Sequence, residues 1–162
     1  MGSTLDLKDV VPLLGKSDVV LVVGQDHRLQ GVVTAWDLAE EFAQLVDPFT
    51  RIGEIEERIR TLVGHKLGRE QIGQFLSDHD LTDGEHRKRP EELTIGELQR
   101  VVAYPKHWEL FGLKAIERVT FVEALDRIRG FRNRLMHFKD PLSTGEISDL
   151  ANFCDLVREI PS

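Results

Sequence analysis

Asp47-Pro48-Phe49-Thr50-Arg51-Ile52-Gly53-Glu54-Ile55-Glu56-Glu57-Arg58-Ile59-Arg60 is the stretch on which the fold turns. Aspartate is a good helix N-cap, and proline suits the first helical position. Behind that pair, Ile52, Ile55, Ile59, Leu62 and Leu67 keep helical spacing, with charges on the opposite face. The reading divides the chain into residues 1–46 and residues 47–162.

Upstream of Asp47 the pattern is helix, strand, strand, helix. Leu7–Leu14 reads as a short amphipathic helix ended by Gly15, and Val19–Val23 as a buried strand of β-branched residues. Gly24-Gln25-Asp26-His27 is turn material, Leu29–Val33 a second strand with Gly31 marking a bulge or a close approach, and Thr34-Ala35-Trp36-Asp37 opens a helix to about Val46. Two short strands make a poor sheet on their own, so this unit needs more strand from elsewhere.

Downstream no strand is expected. Gly68 ends the first helix, Glu70–Leu76 forms a second, and Ser77 to Glu92 is polar, without periodicity, and reads as a loop. Three boxes of the form hydroxyl-x-x-Glu follow: Thr94 with Glu97, Thr120 with Glu123, and Ser143 with Glu146. Each pairs a hydroxyl N-cap with a carboxylate reaching back to it, ahead of an apolar helical pattern. Trp108 and Phe111 are spaced as core residues. The fold class is therefore α+β: a small β-hairpin and helix unit followed by an all-α helical bundle.

Composition bounds the function. Of 162 residues, 41% are hydrophobic and 30% charged, as in a folded globular chain rather than a disordered one. No apolar run nears the roughly 18 residues of a membrane span, so no membrane partner is expected. The start shows no basic region followed by an apolar core, so no signal peptide is read there. The single cysteine, Cys154, can form no internal disulfide, which fits a reducing, cytoplasmic setting. His65, His79 and His86 fit no compact metal site, and no cofactor is expected. At a net charge of −7, the whole molecule will not steer toward a polyanion, so any nucleic-acid site must be local.

Such a locality exists. Between Lys114 and Lys139 stand seven Lys or Arg against three acids, a balance of +4 in an acidic chain. Within it lies Arg129-Gly130-Phe131-Arg132-Asn133-Arg134-Leu135-Met136-His137-Phe138. Histidine is a natural general acid or base near neutral pH. Arginine holds a phosphate bidentately and stabilises charge developing on it. With Asn133 orienting either group, the set suits attack of an RNA 2′-hydroxyl on the adjacent phosphate without a metal. On a straight helix Arg132 and His137 point about 140° apart at roughly 100° per residue. A kink near Gly130, a frayed helix end or a second copy of the chain would each bring them together. The plainer reading is that these residues only cap carbonyls at a helix end and favour the dipole.

Arg132-Asn133-Arg134-Leu135-Met136-His137 resembles the Arg-x-x-x-x-His motif of the HEPN superfamily, in its Arg-Asn-x-x-x-His form. Ile55 to Arg60 is similar to that superfamily's opening helix. Leu93 to Leu98, Trp108, Phe121 to Leu125 and Met136-His137-Phe138 resemble the branch found at the end of a nuclear-pore-associated RNA-surveillance endoribonuclease. The resemblance implies a helical domain that forms a homodimer, with both motifs lining one cleft. It implies a metal-independent endoribonuclease with Arg132, Asn133 and His137 as catalytic candidates, beside Arg129, Arg134 and Lys139 as RNA contacts. The alternative is a non-catalytic dimerising module that binds nucleotide, RNA or protein.

Asp18 to Val23, Leu29 to Thr34 and Asp37-Leu38 resemble a single, truncated CBS domain. Its Gly-x-x-Thr-x-x-Asp string stands at Gly31, Thr34 and Asp37. The resemblance implies that these three contact an adenine nucleotide and that the unit is regulatory. Thr34 and Asp37 also read as a plain capping box.

Overall fold

The computed structural model describes residues 7–79, 89–137 and 140–160. It is mostly helical, with one short antiparallel hairpin near the front. The chain divides into two compact units, Met1–Asp47 and Pro48–Ser162.

In the first unit, α1 (Leu7–Leu14) closes with the Gly15 amide donating to the Val11 carbonyl at 3.1 Å. Strands β1 (Val19–Val23) and β2 (Leu29–Thr34) pair antiparallel, with Val19 opposite Thr34 and Leu21 opposite Val32. The turn between them needs one residue in the left-handed region, and His27 supplies it at φ 56°. The expected irregularity is present: Val22 faces Gly31 and Val23 faces Leu29, so Gln30 is passed over. The strand read as buried is not: Val19, Leu21 and Val23 are exposed, and Leu21 shares its half-exposed face with Val32. Among the described residues of this unit, Val10 is the one buried hydrophobic side chain. Such a hairpin has little of its own to stabilise it.

Helix α2 (Ala35–Lys66) corrects the expected break at Asp47-Pro48. The sequence suggests one helix ending near Val46 and another starting at Pro48; the structure has one helix of 32 residues with Pro48 inside it. An interior proline forfeits one backbone hydrogen bond and strains the preceding turn, at roughly 3 kcal/mol. The immediate neighbours Val46, Asp47, Phe49 and Thr50 are only modest helix formers, but none of them takes the left-handed conformation that would stop the helix. Pro48 itself is buried, and the buried row Ile52, Ile55, Ile59 and Leu62 follows it. That burial offsets the loss.

Among the described residues the second unit is all helix: the rest of α2, α3 (Arg69–Asp78), a 3₁₀ turn (Pro90–Glu92), α4 (Ile95–Ala103), α5 (Pro105–Phe111), α6 (Arg118–Met136) and α7 (Thr144–Arg158). The region read as a loop therefore loses Ser77 and Asp78 to α3 and Pro90–Glu92 to the 3₁₀ turn; its middle lies outside the described residues. Two boxes close as expected. The Glu97 amide donates to Thr94 Oγ1 at 3.3 Å while the Thr94 amide donates to Glu97 Oε2 at 2.8 Å. Ser143 and Glu146 make the same exchange.

The box at Thr120 does not form. Helix α6 starts earlier, with Glu117 extended as N-cap and the Phe121 amide already donating to the Glu117 carbonyl at 3.0 Å. Arg118 Nη1 donates to the Ala103 carbonyl at 2.7 Å and ties that first turn to the end of α4. Thr120 and Glu123 thus lie inside the helix. Gly112, at φ 70°, ends α5 in a conformation that glycine adopts without strain.

The core of this unit joins all its helices. Phe121 of α6 sits between Trp108 of α5 and Phe153 of α7, with ring centroids 5.4 and 5.2 Å away. Phe111 is buried and Trp108 packs against the core, as their spacing suggested.

Candidate functional site

Helix α6 carries the basic stretch, and its partners decide what the stretch can do. Arg129 pairs with Asp126 at 2.7 Å, one turn back on its own helix. Arg132 Nε lies 2.6 Å from Oε1 of Glu56 on α2. Arg134 reaches Glu146 on α7 at 2.5 Å. Arg118 is engaged on a carbonyl. The stretch read as a basic stripe is therefore largely paired: Lys114 and Arg127 are its exposed cations without a partner among the described residues. Lys139 lies outside the described residues.

Arg134 is an anchor rather than an open contact. The Glu146 Oε2 that it meets also accepts from the Ser143 amide at 2.7 Å and from the Ser143 hydroxyl at 2.9 Å. One oxygen thereby joins the last turn of α6 to the first turn of α7. The connection that begins at His137 is bracketed by this link. Arg134 and the backbone and hydroxyl of Ser143 hold the Glu146 carboxyl down at about 2, against an ordinary 4.5. A folded-state value below the unfolded one means that the ionised carboxylate favours the folded chain. That contribution is complete above about pH 4.5 and disappears as pH falls from there toward 2. Urea midpoints measured across that window should fall more steeply for the wild type than for Glu146→Gln; parallel slopes would mean the link adds nothing.

Arg132 stands at a groove of about 190 Å³. Phe49, Ile52 and Gly53 of α2 form one side, Leu135 and Met136 of α6 the other, and the Arg132–Glu56 pair lies between them. Glu56 is 16% exposed and Arg132 37%. Glu56 Oε1 is fully enclosed, and the 2.6 Å approach is an ion pair without hydrogen-bond alignment. Arg60 Nη2 adds a weaker attraction 3.9 Å from Glu56 Oε2.

Asn133 is exposed on the next position, and its carbonyl accepts from the His137 amide at 3.2 Å. His137 caps the C-terminus of α6 and is exposed. It does not line the groove. Within one chain the structure thus gathers Arg132, Glu56 and an apolar wall, and leaves His137 on the helix end beside them.

Glu56 is the residue that the motif did not reveal. It sits four residues after Ile52 and three before Ile59, on the seam of the buried row. A carboxylate in that position needs a cation, and the pattern alone shows as much. It does not show which cation.

In the first unit, Thr34 and Asp37 form the capping box of α2. The Thr34 amide and hydroxyl donate to Asp37 Oδ2 at 2.7 and 2.6 Å, and the Asp37 amide donates back at 3.3 Å. The Thr34 hydroxyl and amide hold the Asp37 carboxyl below its usual range. Gly31 has open space in front of it: an added Cβ there would meet nothing within 4 Å.

Elsewhere, Cys154 is buried beside Glu54, and burial pushes its thiol up, away from nucleophilic use. His107 is buried against Phe75 and Tyr104, its Nδ1 2.9 Å from the Val101 carbonyl, and burial pushes its pKa down. No helix among the described residues is long and apolar enough to cross a membrane. No protein-family model matches the chain, and no curated protein or solved structure matches it either.

Proposed function

We propose that the helical unit is a HEPN-like domain that acts on RNA, as a metal-independent endoribonuclease. Arg132 holds the phosphate and stabilises the charge that develops on it, His137 takes or delivers the proton, and Asn133 supports them. The observation that carries this reading is the state of Arg132: fixed on its Nε side by Glu56, partly exposed at a groove, and five residues before an exposed histidine at the same helix end. His137 stands outside that groove, so the reading includes a homodimer in which a second copy completes the cleft. The front unit is proposed as its CBS-like regulator, binding an adenine nucleotide near Gly31, Thr34 and Asp37. That part rests on the resemblance alone, since Thr34 and Asp37 already have full work as a helix cap and the space before Gly31 is no different from that before Gly53 or Gly145.

A second reading is favoured by the pairing of Arg129, Arg132 and Arg134, which leaves less free positive charge than the sequence suggests. In that reading the unit binds RNA, nucleotide or protein without cutting. One experiment separates them. Purified protein is incubated with labelled single-stranded RNA in EDTA, with and without AMP, ADP or ATP. Cleavage in EDTA is expected, at a rate that one of the nucleotides alters. Binding without cleavage selects the second reading with RNA as its ligand, and neither binding nor cleavage removes RNA from both readings and leaves a nucleotide- or protein-binding unit. An unaltered rate with every nucleotide removes the regulatory role of the front unit.

A further inference from the structure

The RNA-acting reading assigns Arg132 a phosphate but says nothing of how its side chain is aimed. A guanidinium has five N–H donors and more than one edge that can meet an anion. A long arginine at a groove mouth samples many rotamers, and a wandering fork stabilises a transition state poorly. Among the described residues one carboxylate meets this group, Glu56, and it takes the Nε edge at 2.6 Å. The two Nη groups of Arg132 have no hydrogen-bond partner among the described residues. Glu56 itself is held on the buried seam of α2, 16% exposed, with Oε1 fully enclosed. Among the described residues it has no polar partner closer than Arg132, since Arg60 stands 3.9 Å away. A carboxylate so enclosed is costly unless a cation meets it, and the one that does belongs to the candidate site.

We propose that Glu56 is the positioning residue of the site: it grips Arg132 by the Nε edge and turns the Nη fork outward to a phosphodiester of RNA. The inference rests on the RNA-acting reading. It carries a consequence that simple charge counting does not. A carboxylate beside a phosphate-binding arginine lowers the pull on a polyanion, so removing its charge should not weaken ground-state binding. Removing it should instead let the fork wander, and the loss should fall on the chemical step. A merely structural glutamate would lower stability and leave kcat and KM of the folded fraction alone.

The test is a cycle of Glu56→Gln, Arg132→Ala and the double variant, with Glu56→Asp as the conservative control. A fluorescein-labelled single-stranded RNA of mixed sequence is the probe, and thermal midpoints are recorded alongside. Glu56→Gln should lower kcat by about tenfold or more with KM unchanged or lower. Glu56→Asp should lie between Gln and wild type. In the Arg132→Ala background, Glu56→Gln should have no further effect, because the fork it aims is gone. Wild-type kcat in Glu56→Gln overturns the inference, as does a rise in KM at constant kcat. Losses in Gln and Asp variants that merely track loss of fold overturn it as well.

If wild type binds the RNA without cutting it, there is no chemical step for Glu56 to serve, and the inference is overturned while the RNA-binding reading stands. RNA that wild type neither binds nor cuts overturns the RNA reading and this inference together. That outcome is read on the wild type alone, so the two failures are told apart.

Discussion

Phe121→Ala is expected to cost the helical unit about 3–5 kcal/mol and to lower its thermal midpoint by about 10–20 °C. Phe121 is 1% exposed and stands between the rings of Trp108 and Phe153. Three helices therefore lose a shared contact at once: α6, which carries it, and α5 and α7 on either side. Aromatic neighbours cannot collapse into the vacated space without leaving their rotamers, which is why the cavity cost adds to the transfer cost. Val119 of the same helix is 55% exposed, so Val119→Ala should stay within about 0.5 kcal/mol. Urea unfolding of the two variants checks the pair. Equal losses would mean that α6 does not bury the face bearing Phe121.

The buried face of α6 was legible in the helical spacing of Leu125, Ile128 and Phe131. So were the caps of α4 and α7, where a hydroxyl and a glutamate three residues later close on each other. Such signals are local: both partners lie within one turn, and nothing distant competes. Where something distant does compete, the local pattern misleads. Thr120 and Glu123 have the right residues for a box, but Arg118 reaching the Ala103 carbonyl starts the helix a few residues sooner. Asp47-Pro48 has the right residues for a helix start, but the burial of Pro48 and of the row Ile52, Ile55, Ile59 and Leu62 behind it carries α2 through.

The site shows the same division. Its arginines and histidine were legible as residue types on one helix. Their availability was not, because each partner comes from elsewhere: Glu56 from α2 for Arg132, Glu146 from α7 for Arg134. Long-range ion pairs leave no trace in spacing except that an acid on a buried seam must be matched. The three arginines that looked alike in sequence therefore have three different jobs. Arg129 makes a local surface pair, Arg134 links two helices, and Arg132 is the one that stands at a groove.

On this division of labour, His137→Ala should lower RNA cleavage by about 10²–10⁴-fold, the usual worth of a positioned proton-transfer group. It should leave the thermal midpoint near wild type, because His137 is exposed and its backbone, not its ring, closes α6. Arg132→Ala should cost a comparable factor, with Arg132→Lys restoring little, since an ammonium keeps the charge but lacks the planar fork. If the two groups act on one phosphate, the double variant should be scarcely slower than either single one, as residues that act as a unit are not additive. Salt dependence gives an independent readout. Removing a real phosphate contact should reduce the slope of log K against log salt by about 0.7 on single-stranded RNA, and Arg132→Ala should show that change. Arg134→Ala should not, because its guanidinium is already committed to Glu146. A wild-type rate in His137→Ala would remove histidine from the chemistry. An unchanged salt slope in Arg132→Ala would leave the groove without its phosphate, and the helical unit would then be a binding module of another kind.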